Sequence, residues 1–435
     1  MMITRFVKRP FSFTAAGGEQ LRARLSLRPL FLLEGYCCVL IMVRKSEYGA
    51  SVMFNHPIIS ADGHIDIPCL PPTLFHDNAP THLKERMPRV VDTPEGKTWV
   101  AHNGTSMGLV GGMGSAGRQY IPGQIHRADR MASTGLYEDQ SKGVMRTAVP
   151  HLRVKDQDLD GVVGEVVYGI LGAAFRIADS EVTDTVVRIY NDFAADFCKA
   201  IPGRFAAVAS LPSSSPKVIA EEVRRCSNLG LKGAELPVRH DMMPLWHLDW
   251  DPVWEASHET GLPIHLHTIG PKMDMQWAKD HRSKRMWLAT VLTEFQIATA
   301  GLLGAVIYGG ALERYSNCKI VIGEAGIGWI PYVLERMDYE WEDQFQDLDL
   351  KMKPSEYWYR QMYATFQQDQ TGLDMIERVG VNNVMWGSDF PHPDGVWPDS
   401  QEFLRTQLAH LPENTRRKIV YENAAELYDF PIEQL

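Results

Sequence analysis

The chain has 435 residues but only six cysteines, Cys37, Cys38, Cys69, Cys198, Cys226 and Cys318, and no Cys-x-x-Cys pair among them. A disulfide framework and a thiolate zinc site both need paired spacing, so reduced thiols in a cytoplasmic protein are expected. A basic surplus is missing too: 44 Lys and Arg face 54 Asp and Glu, for a net charge of -10. Nucleic-acid binding needs a basic stripe to neutralise phosphates, which leaves a small molecule or a peptide as the expected partner. No apolar stretch reaches the roughly 20 residues that cross a bilayer. Phe31 to Val43 comes nearest and is broken by Glu34 and Gly35. Internal repeats, low-complexity tracts and a phosphate-loop or dinucleotide fingerprint are also absent.

What is present divides unevenly. Residues 1–52 carry eight Lys or Arg against three Asp or Glu, whereas the remainder carries 36 against 51. The first 52 residues therefore read as a poorly ordered basic extension and residues 53–435 as the folded body. Hydrophobic residues make up 45% of the chain, enough to fill one large core.

From Pro57 onward, short apolar runs alternate with longer amphipathic stretches, the pattern of a parallel α/β sheet. Eight strands are expected, at 58–61, 162–168, 206–211, 233–236, 263–267, 319–323, 363–366 and 383–387. Helices are expected at 180–199, with Ser180 as N-cap, and at 220–229, 252–260, 331–341 and 373–379. The first strand-to-helix connection, residues 66–160, is far longer than the usual few residues. Its Gly108–Gly123 centre, with Arg118 beside it, reads either as a lid over the site or as a plain surface loop.

Polar groups stand at several strand ends, where burial is costly unless they are paired or bound to a metal. Asp62, His64 and Asp66 alternate along one extended segment, His265 and His267 along another, and Asp389 follows Trp386-Gly387-Ser388. Imidazole nitrogen and carboxylate oxygen suit zinc, or manganese, with an open coordination position. Glu324 leaves an apolar strand into a glycine turn, where desolvation should raise its pKa and fit it for acid or base work. His392, three residues past Asp389, is either a second proton carrier or a structural loop residue.

Taken together, Ala61-Asp62-Gly63-His64, Leu262 through His267, Lys319 through Gly326, Trp386 through His392 and Glu422-Asn423-Ala424-Ala425 resemble the amidohydrolase superfamily. Within it they are similar to the amidohydrolase-related group that includes aminocarboxymuconate semialdehyde and gamma-resorcylate decarboxylases. The resemblance implies a (β/α)8 TIM barrel with a long insertion after strand 1, a single divalent metal and frequent pairing into homodimers. It implies Asp62, His64, His267 and Asp389 as ligands, with Asp66 replacing Asp62 in another register and His265 orienting the site. Decarboxylases of this group place a histidine where this chain has Glu324.

That departure makes hydrolysis the expected reaction. A metal-activated water attacks an amide, lactone or related carbonyl or amidine carbon, Asp389 accepts its proton, and Glu324 assists the leaving group. The alternative is non-oxidative decarboxylation of an aromatic or unsaturated acid steadied by Arg118 or Arg176. A third possibility is a barrel that binds a ligand without turnover.

Overall fold

The computed structural model describes residues 56–268 and 275–431. The expected basic extension, residues 1–52, lies outside the described residues. Eleven strands form two sheets. In chain order they are β1 (Ile59–His64), β2 (Arg89–Thr93), β3 (Gly96–Val100), β4 (Ser106–Leu109), β5 (Gly164–Tyr168) and β6 (Phe205–Ser210). There follow β7 (Gly233–Glu235), β8 (Ile264–Leu266), β9 (Ile320–Ile322), β10 (Met362–Phe366) and β11 (Val384–Trp386).

Eight of them, in the order β1-β5-β6-β7-β8-β9-β10-β11, make the parallel sheet. Each coincides with one of the eight apolar runs, because strands buried on both faces read as near-continuous hydrophobic segments. The sheet curls until its edges meet. Asp389 N–H donates to the Asp62 carbonyl at 2.8 Å and His64 N–H to the Phe390 carbonyl at 2.7 Å. Gly387 permits this by close approach, since a Cβ there would collide with the side chain and backbone of Asp62. The result is a (β/α)8 barrel whose strand ends gather the polar residues on one face.

The helices between strands supply the outer layer. Ser180–Ala200 buries Val182, Val186, Ile189 and Phe197 on one stripe, as expected, but its cap is Asp179, which accepts from Val182 N–H at 3.3 Å. Ser180 is therefore the first helical residue rather than the N-cap. The segment expected as one helix at 373–379 is two short ones, Gln370–Asp374 and Ile376–Val379. The Glu422-Asn423-Ala424-Ala425 motif opens the last helix, Asn423–Tyr428. The sequence pattern marks nothing between His267 and Lys319, yet His281–Glu294 and Ala300–Tyr308 are helices there. The first buries none of its residues, so no apolar stripe of contrasting polarity signals it.

The connection from β1 to β5 has its own architecture: an antiparallel sheet β2-β3-β4, then helices at His126–Ala132, Leu136–Ser141 and Pro150–Asp160. Trp99 and Met107 point inward, and the Trp99 ring meets Phe75 edge-on at 5.6 Å. Among the described residues no single helix is long and apolar enough to cross a membrane.

Candidate metal centre and active site

Asp62 lies in β1, where its carbonyl accepts from the Asp389 N–H, and its Oδ2 is fully engaged. It accepts from the Glu324 N–H at 3.1 Å and from Thr365 Oγ1 at 2.9 Å. Oδ1 is thereby turned the other way, 3.3 Å from His64 Nε2 and 3.7 Å from His267 Nε2. Asp389 Oδ1 lies 3.2 Å from the same His64 nitrogen. Asp62 Oδ1, His64 Nε2, His267 Nε2 and both Asp389 oxygens are buried, and among the described residues none has a hydrogen-bond partner. Donors held at about 2.1 Å from one small ion sit about 3.0–3.5 Å apart, which these separations approach. Asp62, His64 and His267 bring ligand atoms within 4.8 Å of one another, and Asp389 joins His64 and His392 in a second such group, so these carboxylates and imidazoles suit a divalent metal ion.

Two of the acids adopt left-handed backbone: Glu324 at φ 49° and Asp389 at φ 56°. Side-chain residues reach this region rarely and at a cost of about 1–3 kcal/mol, so the surrounding structure must hold them there. Burial alone would raise the Asp62 carboxyl, but His267 and His64 outweigh it and hold it well below its usual range. Burial and His392 press the His64 imidazole down, while Asp389 and Asp62 lift it to about 9.

Asp66 stands apart from this group. Its Oδ2 accepts from His392 Nε2 at 2.9 Å, and the other His392 nitrogen lies 3.1 Å from Asp389 Oδ1. His392 is thus clamped between two carboxylates and stacked on the His64 ring at 4.0 Å. His265 is buried, shares a 2.8 Å hydrogen bond with the Tyr168 hydroxyl, and is pushed by burial to about 3, which keeps it neutral. Tyr168 packs in turn against His267 at 4.7 Å and His64 at 5.5 Å.

Glu324 is 6% exposed, and its Oε2 accepts from Thr268 Oγ1 at 3.3 Å. Burial, then Asp389, Asp394 and Asp62, push its carboxyl well above the usual range, while the His267 Nδ1 lies 3.8 Å from its Oε2. A cavity of about 310 Å³ opens over these groups, with His64, His267, Glu324, Glu235 and Arg118 on its walls and Phe175 and Phe295 among its apolar lining. Arg118 therefore reaches the cavity, whereas Arg176 is not among the lining residues. A larger depression of about 680 Å³, between Val238–Trp246 and the Ala300–Tyr308 helix, holds none of the clustered acids.

Sequence reasoning missed Tyr168, Glu235, Thr268, Thr365 and Asp394, all of which touch the site or its cavity. Tyr168 and Glu235 had a signal, since each is the last residue of a barrel strand.

Comparison with known proteins follows the geometry. Residues 153–430, more than half of the chain, match the amidohydrolase family. The chain belongs to that family. It is similar to gamma-resorcylate decarboxylase of Polaromonas sp. strain JS666, 26% identical over 318 residues that span 68% of this chain and 94% of that one. Among solved structures, 5-carboxyvanillate decarboxylase of Sphingomonas paucimobilis superposes with a TM-score of 0.60 at 22% identity, covering 86% of this chain and 99% of that one. Dihydroxybenzoic acid decarboxylase of Polaromonas sp. JS666, solved with bound manganese and the inhibitor 2-nitroresorcinol, gives 0.56 at 20% identity, over 86% and 97% of the two chains.

The chain is thus an enzyme of the amidohydrolase superfamily with a divalent-metal centre. The expectation of hydrolysis is corrected: the relative matched over nearly its whole length is a decarboxylase. That expectation rests on the missing histidine at position 324, but a buried, protonated glutamic acid can deliver a proton as an imidazolium does.

Proposed function

We propose that this enzyme is a metal-dependent, non-oxidative decarboxylase of an aromatic carboxylic acid. The observation that carries the reading is Glu324, a buried carboxyl whose surroundings favour the protonated form, lining one small cavity beside the clustered donor residues. The decarboxylase relatives support the same chemistry. Asp62, His64, His267 and Asp389 would hold the metal. When bound, the ion supplies positive charge that anchors and polarises an acidic substrate. Zinc and manganese both suit this mixed oxygen and nitrogen set, and manganese is favoured by its presence in a structural neighbour.

The reaction exchanges a C–C bond for a C–H bond. Glu324 gives its proton to the ring carbon that bears the carboxylate; the C–C electron pair then returns to the ring as carbon dioxide leaves. Solvent at the cavity mouth reprotonates Glu324. Thr268, through its hydrogen bond, fixes which way Glu324 faces. His392, clamped by Asp66, holds Asp389 in place rather than carrying the proton. Arg118 draws the acidic substrate to the mouth.

The 66–160 insertion serves as a fixed wall rather than a swinging lid. Arg127 bonds the carbonyls of Asp394 and Gly395, and Arg130 pairs with Asp399, so its helices are tied to the segment after β11.

The test is turnover of hydroxybenzoic acids by manganese-loaded protein. Carbon dioxide release is expected, with one deuterium at the vacated carbon in heavy water. Glu324→Gln should lower kcat at least 100-fold with metal content unchanged. Full activity in that variant would refute the assignment of Glu324.

A further inference from the structure

Glu235 closes β7, and in the sheet order β7 stands four strands from β11 by either route around the barrel. Its side chain therefore projects from the wall facing Asp389. It lines the same cavity and is 8% exposed. Among the described residues its carboxyl has no hydrogen-bond or ion-pair partner. Buried carboxyls elsewhere are matched: Glu165 by Arg153, Glu222 by Arg225 and Asn191, Asp160 by Ser400. Nor does Glu235 join any of the groups whose ligand atoms lie within 4.8 Å of one another, so the metal does not account for it. A carboxyl that reaches a ligand cavity without a protein partner is available to a ligand there.

We propose that Glu235 determines specificity by accepting a hydrogen bond from a hydroxyl or amino group on the substrate ring. The proposal rests on the decarboxylase reading for the carboxylate end. The cavity volume, about 310 Å³, sits at the small end for ligand sites and fits a single ring. Phe175 and Phe295 offer apolar surface to the ring, so polar recognition falls to the few groups at its edge, Glu235 among them. An acceptor-only substituent such as a methyl ether would leave the carboxyl unpaired and would be rejected.

Calorimetric titration of metal-loaded protein carrying Glu324→Gln, in which turnover is suppressed, tests this. The ligands are salicylates carrying either a hydroxyl or its methyl ether at ring positions 3 to 6 in turn, offered to that protein with Glu235 unmodified, with Glu235→Gln and with Glu235→Leu. At one position the hydroxyl compound should bind at least tenfold more tightly than its ether. Glu235→Leu should abolish that preference, with metal content unchanged; Glu235→Gln should keep part of it. A preference that survives Glu235→Leu, or none at any position when the acids bind, overturns the proposal. Failure of every salicylate to bind the protein with Glu235 unmodified would instead overturn the decarboxylase reading, and this proposal with it.

Discussion

Replacing Glu165 by Gln should destabilise the barrel and loosen the metal centre together. Arg153 is wholly buried, and all five of its N–H groups are engaged. Nε donates to Glu165 Oε2 at 2.7 Å and Nη2 to Oε1 at 2.6 Å. Nη1 reaches the carbonyls of His64 at 2.8 Å and Thr147 at 3.0 Å, and Nη2 reaches that of Phe390 at 3.4 Å. One guanidinium thus ties the end of β1 to the segment after β11, at the backbone of His64 and next to Asp389. Gly63 makes room for it, since a Cβ there would strike the Glu165 carboxylate.

Glu165→Gln keeps the shape and removes the countercharge. An uncompensated buried charge costs about 3–5 kcal/mol. That is a large part of a net stability of roughly 5–15 kcal/mol. Displacing the backbone of two ligand segments should also lower metal affinity about 10–100-fold. Urea unfolding gives the first quantity and competition with a chelator the second. The double variant Arg153→Met with Glu165→Gln should be at least 2 kcal/mol less destabilised than the two single changes added together. Strict additivity, or a loss below about 1 kcal/mol from Glu165→Gln alone, would refute the argument.

Other outcomes follow from the same geometry. His267→Ala combined with Asp389→Ala should abolish bound divalent metal by elemental analysis; retention of one ion per chain would refute the ligand set. Asp160 accepts from the Ser400 N–H at 2.9 Å, and burial pushes its carboxyl up to about 7. Its folded form holds the proton more tightly than the unfolded chain, so its contribution is complete below about pH 4 and is lost as pH rises to about 7. A rise of that size corresponds to about 4 kcal/mol at most. Asp160→Asn should gain stability relative to the unmodified protein across that window, and parallel pH–stability curves would contradict this. Gly387→Ala should impair folding and metal binding by forcing β11 off Asp62; an unchanged metal content and unfolding midpoint would count against the close-approach argument.

The eight barrel strands were legible because parallel strands covered on both faces must be apolar along their length, and Ile320–Ile322 or Val384–Trp386 have no other reading. The antiparallel β2-β3-β4 sheet was not: Arg89–Thr93 is partly or fully exposed throughout, so no buried alternation marks it. The choice between Asp62 and Asp66 was hidden for a different reason. Strict alternation puts both on the face of His64, but the register of β1 against β5 shifts between Ser60 and Gly63. That irregularity, together with the hydrogen bonds from Thr365 and Glu324, turns Asp62 to His64 and His267 and leaves Asp66 to His392. The left-handed φ of Glu324 and Asp389 was equally invisible, because nothing local asks for it; the closed barrel imposes it.

Glu324 shows where residue type misleads. A carboxylate in place of an imidazole reads, in sequence, as the loss of a proton donor and so as evidence for water chemistry. Burial and three neighbouring acids push the other way, favouring the protonated form, so the atoms that look like a base are suited to act as an acid. The donor set alone does not separate hydrolysis from decarboxylation, since one barrel and one ion serve both. The direction in which the Glu324 carboxyl is shifted depends on tertiary contacts: Asp62 and Asp389 reach it from the first and last strands, which meet only when the barrel closes.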